Sequence, residues 1–274
     1  LQDTDPNYRV FDLTQNPFQS AQYAYFHNMI GGYHAAKLQR YQDIIDRHLV
    51  NGNQAVLDML NTRYIVNRGA DGQPVAQRNP GALGNAWFVD AIRLVDTPNE
   101  EINALSNFQP DSLAVVHREF SDYVAGLDPS RAGSIELTDY RPDHLVYQAN
   151  AADETLAVFS EIWYGPDKGW QAYLDGEPVE HIRANYVLRA LRIPAGQHEI
   201  EFVFHPKAFY TGRTLSRLFS SAILLGLLGF GGYQSYRYFQ HLPEEPAPEP
   251  KPKAKKKPAA RSKQKMKGGK KRRN

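Results

Sequence analysis

A glycine pair, Gly31-Gly32, stands ahead of His34, Lys37, Arg40 and Tyr41 in the stretch FHNMIGGYHAAKLQRYQDIIDRHLV. Adjacent glycines take positive φ without penalty and, at the mouth of a helix, leave backbone N–H groups for an anion. Lys37 and Arg40 follow one and two turns later, within reach of a phosphate held there. The spacing is not that of a P-loop, which needs a further glycine and a Lys-Ser/Thr pair. A glycine-turned entry to an amphipathic helix accounts for the same residues equally well. His27 and His34 have no third ligand nearby, and His117, His144, His181, His198 and His205 are scattered, so neither metal nor cofactor is expected. Nothing sets a nucleophile beside a base, so no catalytic residue is assigned. Trp163, Trp170 and Tyr173 could stack on a sugar, although aromatics in a β-rich segment more often fill the core.

These residues have to be positioned by two kinds of chain. Residues 1–118 mix periods and read as an α+β unit. YRVFDL is strand-like, and HAAKLQRYQDIIDRHLV is helical, with Leu38, Tyr41, Ile45 and Leu49 as its apolar stripe and Asn51-Gly52 as its stop. QAVLDMLNTRYIVN reads as a helix running into a strand, and AWFVDAIRLV as one further strand. Residues 119–210 alternate with period two, and about seven short strands point to a β-sandwich. Asp175-Gly176 marks a two-residue hairpin turn. A second strand pair is expected around Pro194-Ala195-Gly196, with Ile200, Phe202 and Phe204 forming one apolar face.

Leu218 to Tyr236 carries no charge and is bracketed by Arg217 and Arg237. Nineteen helical residues reach roughly 28 Å, close to the hydrocarbon thickness of a bilayer. A transmembrane helix over 213–239 is therefore expected, with the lipid bilayer as a partner. Ala222, Gly226 and Gly229 share a face that would admit another helix. From Lys251 onward there are thirteen Lys/Arg and no acid, whereas the first 242 residues hold nineteen Lys/Arg against twenty-seven Asp/Glu. A basic segment beside a membrane helix stays cytoplasmic, which places residues 1–212 outside. The tail, 240–274, is Pro-broken and lacks aromatics beyond its membrane-proximal edge. It is expected to be disordered and to act first as a topology signal, with attraction to anionic lipid headgroups ahead of any nucleic-acid binding, which is not expected. There is no cysteine, so disulfides and thiolate ligands are excluded. The chain opens at Leu1 without a charged-then-apolar leader, which suggests the C-terminal piece of a longer protein.

Several strings occur in one order: FDLTQNPFQSAQYAYFHNMIGGYHAAKLQRYQDIID, DMLNTRYIV, NPGALGNAWFV and WQAYLDGEPVEHIRANYVLRALRIPAGQHEIEFVFHP, followed by the apolar helix. Together they resemble the C-terminal region of the YfhO family of bacterial membrane proteins, in its Bacteroidetes type, over residues 8 to about 240. The resemblance implies a polytopic inner-membrane protein whose upstream transmembrane helices precede this chain. It further implies likeness to GT-C glycosyltransferases, which take sugar from a polyprenyl-phosphate donor to modify cell-envelope polymers. The catalytic acid of such enzymes lies between upstream helices, so this chain is expected to be non-catalytic. It would shape a donor or acceptor entrance, with Gly31, Gly32, His34, Lys37, Arg40 and Tyr41 facing the membrane. The competing reading is a single-pass, membrane-anchored scaffold that binds glycan or protein without chemistry.

Overall fold

Strands dominate residues 7–241, the part of the chain described by this computed structural model. Five of them form one antiparallel sheet: β7 (Gly133–Arg141), β8 (His144–Ala151), β10 (Trp170–Leu174), β11 (Glu177–Val179) and β14 (Gly196–Phe204), in the order β11-β10-β14-β8-β7. Four more form a second antiparallel sheet: β4 (Ala86–Phe88), β9 (Thr155–Ile162), β12 (Ile182–Ala184) and β13 (Leu188–Ile193), ordered β12-β13-β9-β4. Tyr147, Phe202 and Trp170 of the first sheet pack with Phe159, Leu191 and Ile193 of the second. This is the expected sandwich.

The second sheet is buried on its other face as well. Leu156, Val158, Leu188, Ala190 and Ile182 point into another core, built with Ile44, Leu49, Val56, Leu60, Ile102 and Val115. A strand covered on both faces gains nothing from alternation, and β9 reads TLAVFSEI with its first six residues buried. The covering layer is the α+β part. Its strands are β1 (Arg9–Asp12), β2 (Thr62–Arg68), β3 (Pro74–Arg78), β5 (Ala91–Val95) and β6 (Leu113–His117). Its helices are α1 (Gln39–Ile44), α2 (Gln54–Met59), α3 (Pro98–Ala104) and α4 (Ser121–Val124). Strands β1 and β2 are parallel, β3 returns antiparallel beside β2, and β5 and β6 form a parallel pair.

Several local expectations shift for identifiable reasons. Asp175 and Gly176 both have positive φ and close the β10–β11 hairpin as anticipated. Around Pro194-Ala195-Gly196, by contrast, β13 and β14 are not paired: one joins the four-stranded sheet and the other the five-stranded sheet. AWFVDAIRLV is two strands in two sheets, not one. The helix expected from His34 starts only at Gln39 and widens into a π turn at Ile45–Leu49, after which Gly52 at φ 65° ends it. The chain divides after Thr214, so the expected boundary at 118/119 falls within the first unit, where β4 pairs with β9.

The last described element is α5 (Lys207–Gln240), with every residue from Thr211 on exposed, including Leu218, Phe219, Leu225 and Leu228. It is long and apolar enough to cross a membrane. The expected disordered tail lies, from 242 onward, outside the described residues.

Candidate functional site

Two tight backbone contacts shape the Gly31-Gly32 turn. A Cβ on Gly31 would sit 2.0 Å from the Pro17 carbonyl oxygen, so no larger residue fits without moving the backbone. Gly32, at φ 114°, donates its N–H to the same oxygen at 2.6 Å. That N–H is therefore not offered to an anion. Nor does a helix begin there: Gln39–Ile44 is too short and too far along to focus a dipole on the turn. What the glycines do is fold residues 17–32 into the wall of a groove. Tyr41 fastens that wall by donating its hydroxyl to the Ile30 carbonyl at 2.6 Å, and desolvation pushes this hydroxyl up to about 12.

The groove encloses about 480 Å³ and is lined by Gly31, Gly32, His34, Lys37 and Tyr41, five of the six residues anticipated. Its floor is apolar, with Met29, Leu38 and Ile162. Lys37 Nζ donates to Gln42 Oε1 at 3.2 Å, and His34 Nδ1 accepts from the Ala36 N–H at 3.0 Å. A second cation, Arg9 of β1, enters from a part of the sequence that carried no motif. It is held by the Leu60 carbonyl at 2.9 Å and Ser160 Oγ at 2.8 Å. An arginine at the start of an otherwise buried strand was the available signal.

Arg40, the sixth anticipated residue, is engaged elsewhere. Its guanidinium stacks 4.5 Å from the Tyr186 ring and meets Glu101 Oε2 at 3.1 Å. Glu101 reaches the core because Thr97 caps α3 by accepting the Glu100 N–H, with Pro98 in the first turn. Its buried carboxylate also accepts from Arg183 at 3.4 Å and from the Tyr186 N–H at 3.1 Å. Tyr186 and its neighbour Asn185 both have positive φ, and the Tyr186 hydroxyl donates to Asp43 at 2.7 Å. Arg40 thus ties α1 to α3 and to the 185–186 turn.

The three aromatics do not make one surface. Along β10, Trp170 and Tyr173 fall on opposite faces. Trp170 is buried beneath the Arg189 guanidinium at 3.9 Å, while the Tyr173 hydroxyl donates to Gln171 at 2.9 Å. Trp163 packs between Phe120 and His181, with ring separations of 6.2 and 5.2 Å. Among the described residues no group of His, Asp and Glu could hold a metal ion.

The architecture is that of a membrane-tethered class: a β-rich unit followed in sequence by one bilayer-length helix. Residues 104–216, from the end of α3 through the sandwich to the opening of α5, match the family model described as bacterial membrane protein YfhO. Match and helix together mark the chain as a membrane protein. Neither curated proteins nor solved structures give a match. The groove residues 9–41 lie outside the matched segment.

Proposed function

We propose that this chain is the extracytoplasmic domain and last membrane helix of a polytopic YfhO-like protein. That protein would transfer sugar from a polyprenyl-phosphate donor to cell-envelope polymers in the manner of GT-C glycosyltransferases. The bacterial inner membrane would hold it, with the basic tail cytoplasmic. In this reading the chain performs no chemistry itself, and the groove holds the lipid-linked phosphate at the entrance to a site on upstream helices.

The observation that carries the reading is the composition of the groove. An apolar floor with Arg9, His34 and Lys37, and no carboxylate in its lining, suits an amphiphile with an anionic head. Its surroundings agree. Residues 13–42 contain no Asp or Glu, in a body where acids outnumber Lys/Arg. Tyr25, Phe26 and Tyr33 are 88%, 74% and 69% exposed, the kind of residue favoured at a headgroup layer.

The test is photolabelling of the full chain in nanodiscs with a diazirine-bearing polyprenyl phosphate. Labelling should map to residues 21–41 and fall about tenfold in Lys37→Glu, the scale of one charge-assisted contact. Labelling spread evenly over the chain, or unchanged in Lys37→Glu, would overturn the reading.

A further inference from the structure

The end of the sandwich nearest Arg9 turns polar, and an irregularity in each sheet produces it. In β7 the register against β8 shifts between Leu137 and Asp139, and the extra residue brings Tyr140 onto the same inner face as Leu137. In β9, Ser160 and Glu161 both stand opposite the single step from Leu188 to Arg189 of β13. Ser160 turns to the covering layer, where its hydroxyl donates to the Met59 carbonyl at 2.9 Å. Glu161 turns with Tyr140 into a cavity of about 270 Å³ that adjoins the groove and shares Arg9, Ala24, Met29 and Gly31 with it. Bulges that re-aim side chains in this way recur beside binding sites.

The cavity is lined by Arg9, His27, Asn28, Asn85, Tyr140 and Glu161, among others. Behind it the core holds polar groups that the fold does not satisfy. The Tyr147 hydroxyl and the Nε and Nη1 atoms of Arg189 have no hydrogen-bond partner among the described residues, although Tyr147 is fully buried and Arg189 nearly so. Neither residue lines the cavity, so they mark this end of the sandwich as polar and do not themselves reach a bound molecule. The charge in the cavity is balanced, since Arg9 Nη2 and Glu161 Oε1 lie 3.9 Å apart. An isolated anion meets the carboxylate, and an isolated cation meets the guanidinium. Amides, an imidazole, a phenol and one ion pair instead offer donors and acceptors in mixed order, as several vicinal hydroxyls require.

We propose that this cavity binds one ring of an uncharged saccharide, with Glu161 accepting from its hydroxyls and Tyr140 and the asparagines completing the contacts. The volume is room for one ring. The cavity shares Arg9 with the groove, but none of the contacts proposed here uses Lys37 or His34, so failure of the phosphate reading at Lys37 leaves this one standing.

Saturation-transfer NMR on the full chain in detergent micelles tests it. The probes are the methyl glycosides of glucose, galactose, mannose and N-acetylglucosamine, with inorganic phosphate as a charged competitor. Transfer to at least one glycoside is expected, insensitive to phosphate. Its affinity should fall about tenfold in Glu161→Ala and about fivefold in Tyr140→Phe, the scale of one charged and one neutral hydrogen bond. Tyr140→Phe, which removes a single hydroxyl, decides the matter if Glu161→Ala lowers the melting temperature. No transfer to any of the four glycosides, displacement by phosphate, or wild-type affinity in Tyr140→Phe would overturn the proposal.

Discussion

Arg183 and Arg189 are directly opposite one another on β12 and β13, and both are almost fully buried, yet they are held in opposite ways. Arg183 lies on the edge strand and finds carboxylates: Glu119 at 2.7 Å and the buried Glu101 at 3.4 Å. Arg189 lies one strand inward and, among the described residues, finds the Ile162 carbonyl at 3.3 Å and the Trp170 and Phe202 rings in place of a carboxylate. Desolvation lowers it to about 10, partly countered by the Glu161 charge. Like charges opposite each other across two strands repel, so the pair shows that burial alone does not dictate how an arginine is satisfied. One is a strut in a network. The other is a cation kept in the core by stacking.

The comparison breaks most sharply at Glu101. Glu101→Ala leaves Arg183 with Glu119 alone and Arg40 with the Tyr186 ring and carbonyl, and should destabilise the fold by about 3 kcal/mol, the low end of the cost of removing one partner of a buried pair. The measurement is a urea midpoint at unchanged slope. A loss within about 1 kcal/mol would mean that both arginines find other partners, and the contrast with Arg189 would vanish.

His181 sharpens it next. Burial, with the Arg189 charge adding to it, lowers His181 from 6.5 to about 4. Above pH 6.5 both folded and unfolded chains carry a neutral imidazole, and the group contributes no pH dependence. Below it the unfolded chain takes up a proton that the folded chain refuses, down to about pH 4. Stability should therefore fall across that window by about 3 kcal/mol. In His181→Asn the decline between pH 6.5 and 4 should be correspondingly shallower, as read from melts at a series of pH values. The smallest effect belongs to Arg189→Leu. Removing an unpaired buried cation should leave stability within about 1 kcal/mol of wild type or raise it, and His181 should then titrate higher by NMR.

What the sequence disclosed was whatever is local. Asp175-Gly176 could be read as a turn because a two-residue hairpin demands positive φ, and the apolar triplet Ile200, Phe202, Phe204 because alternation marks a face. The turn at Gly31-Gly32 was legible, but its purpose was not: close approach to the Pro17 carbonyl is a tertiary fact. The same holds for Pro194-Gly196, where turn chemistry looks alike whether a strand returns beside its neighbour or crosses to the facing sheet. Arg40 looked like a free cation since its partner, Glu101, is sixty-one positions away. Arg9 and Ser160 are further apart still, at 151 positions. Periodicity reports which way a residue faces, never whom it meets.

The middle sheet, covered on both faces, has a bearing on how the molecule can be divided. The matched segment begins at residue 104, but β4 and the covering helices α1, α2 and most of α3 precede it. Excising 104–216 would expose the faces of Leu156, Val158, Leu188 and Ala190 to water and open an edge of β9 to pairing with other molecules. The stretch that recurs as a sequence unit is thus smaller than the stretch that folds as a physical one. A gene fragment drawn at its borders is expected in inclusion bodies, and one that begins before β1 and stops short of α5 in the soluble fraction.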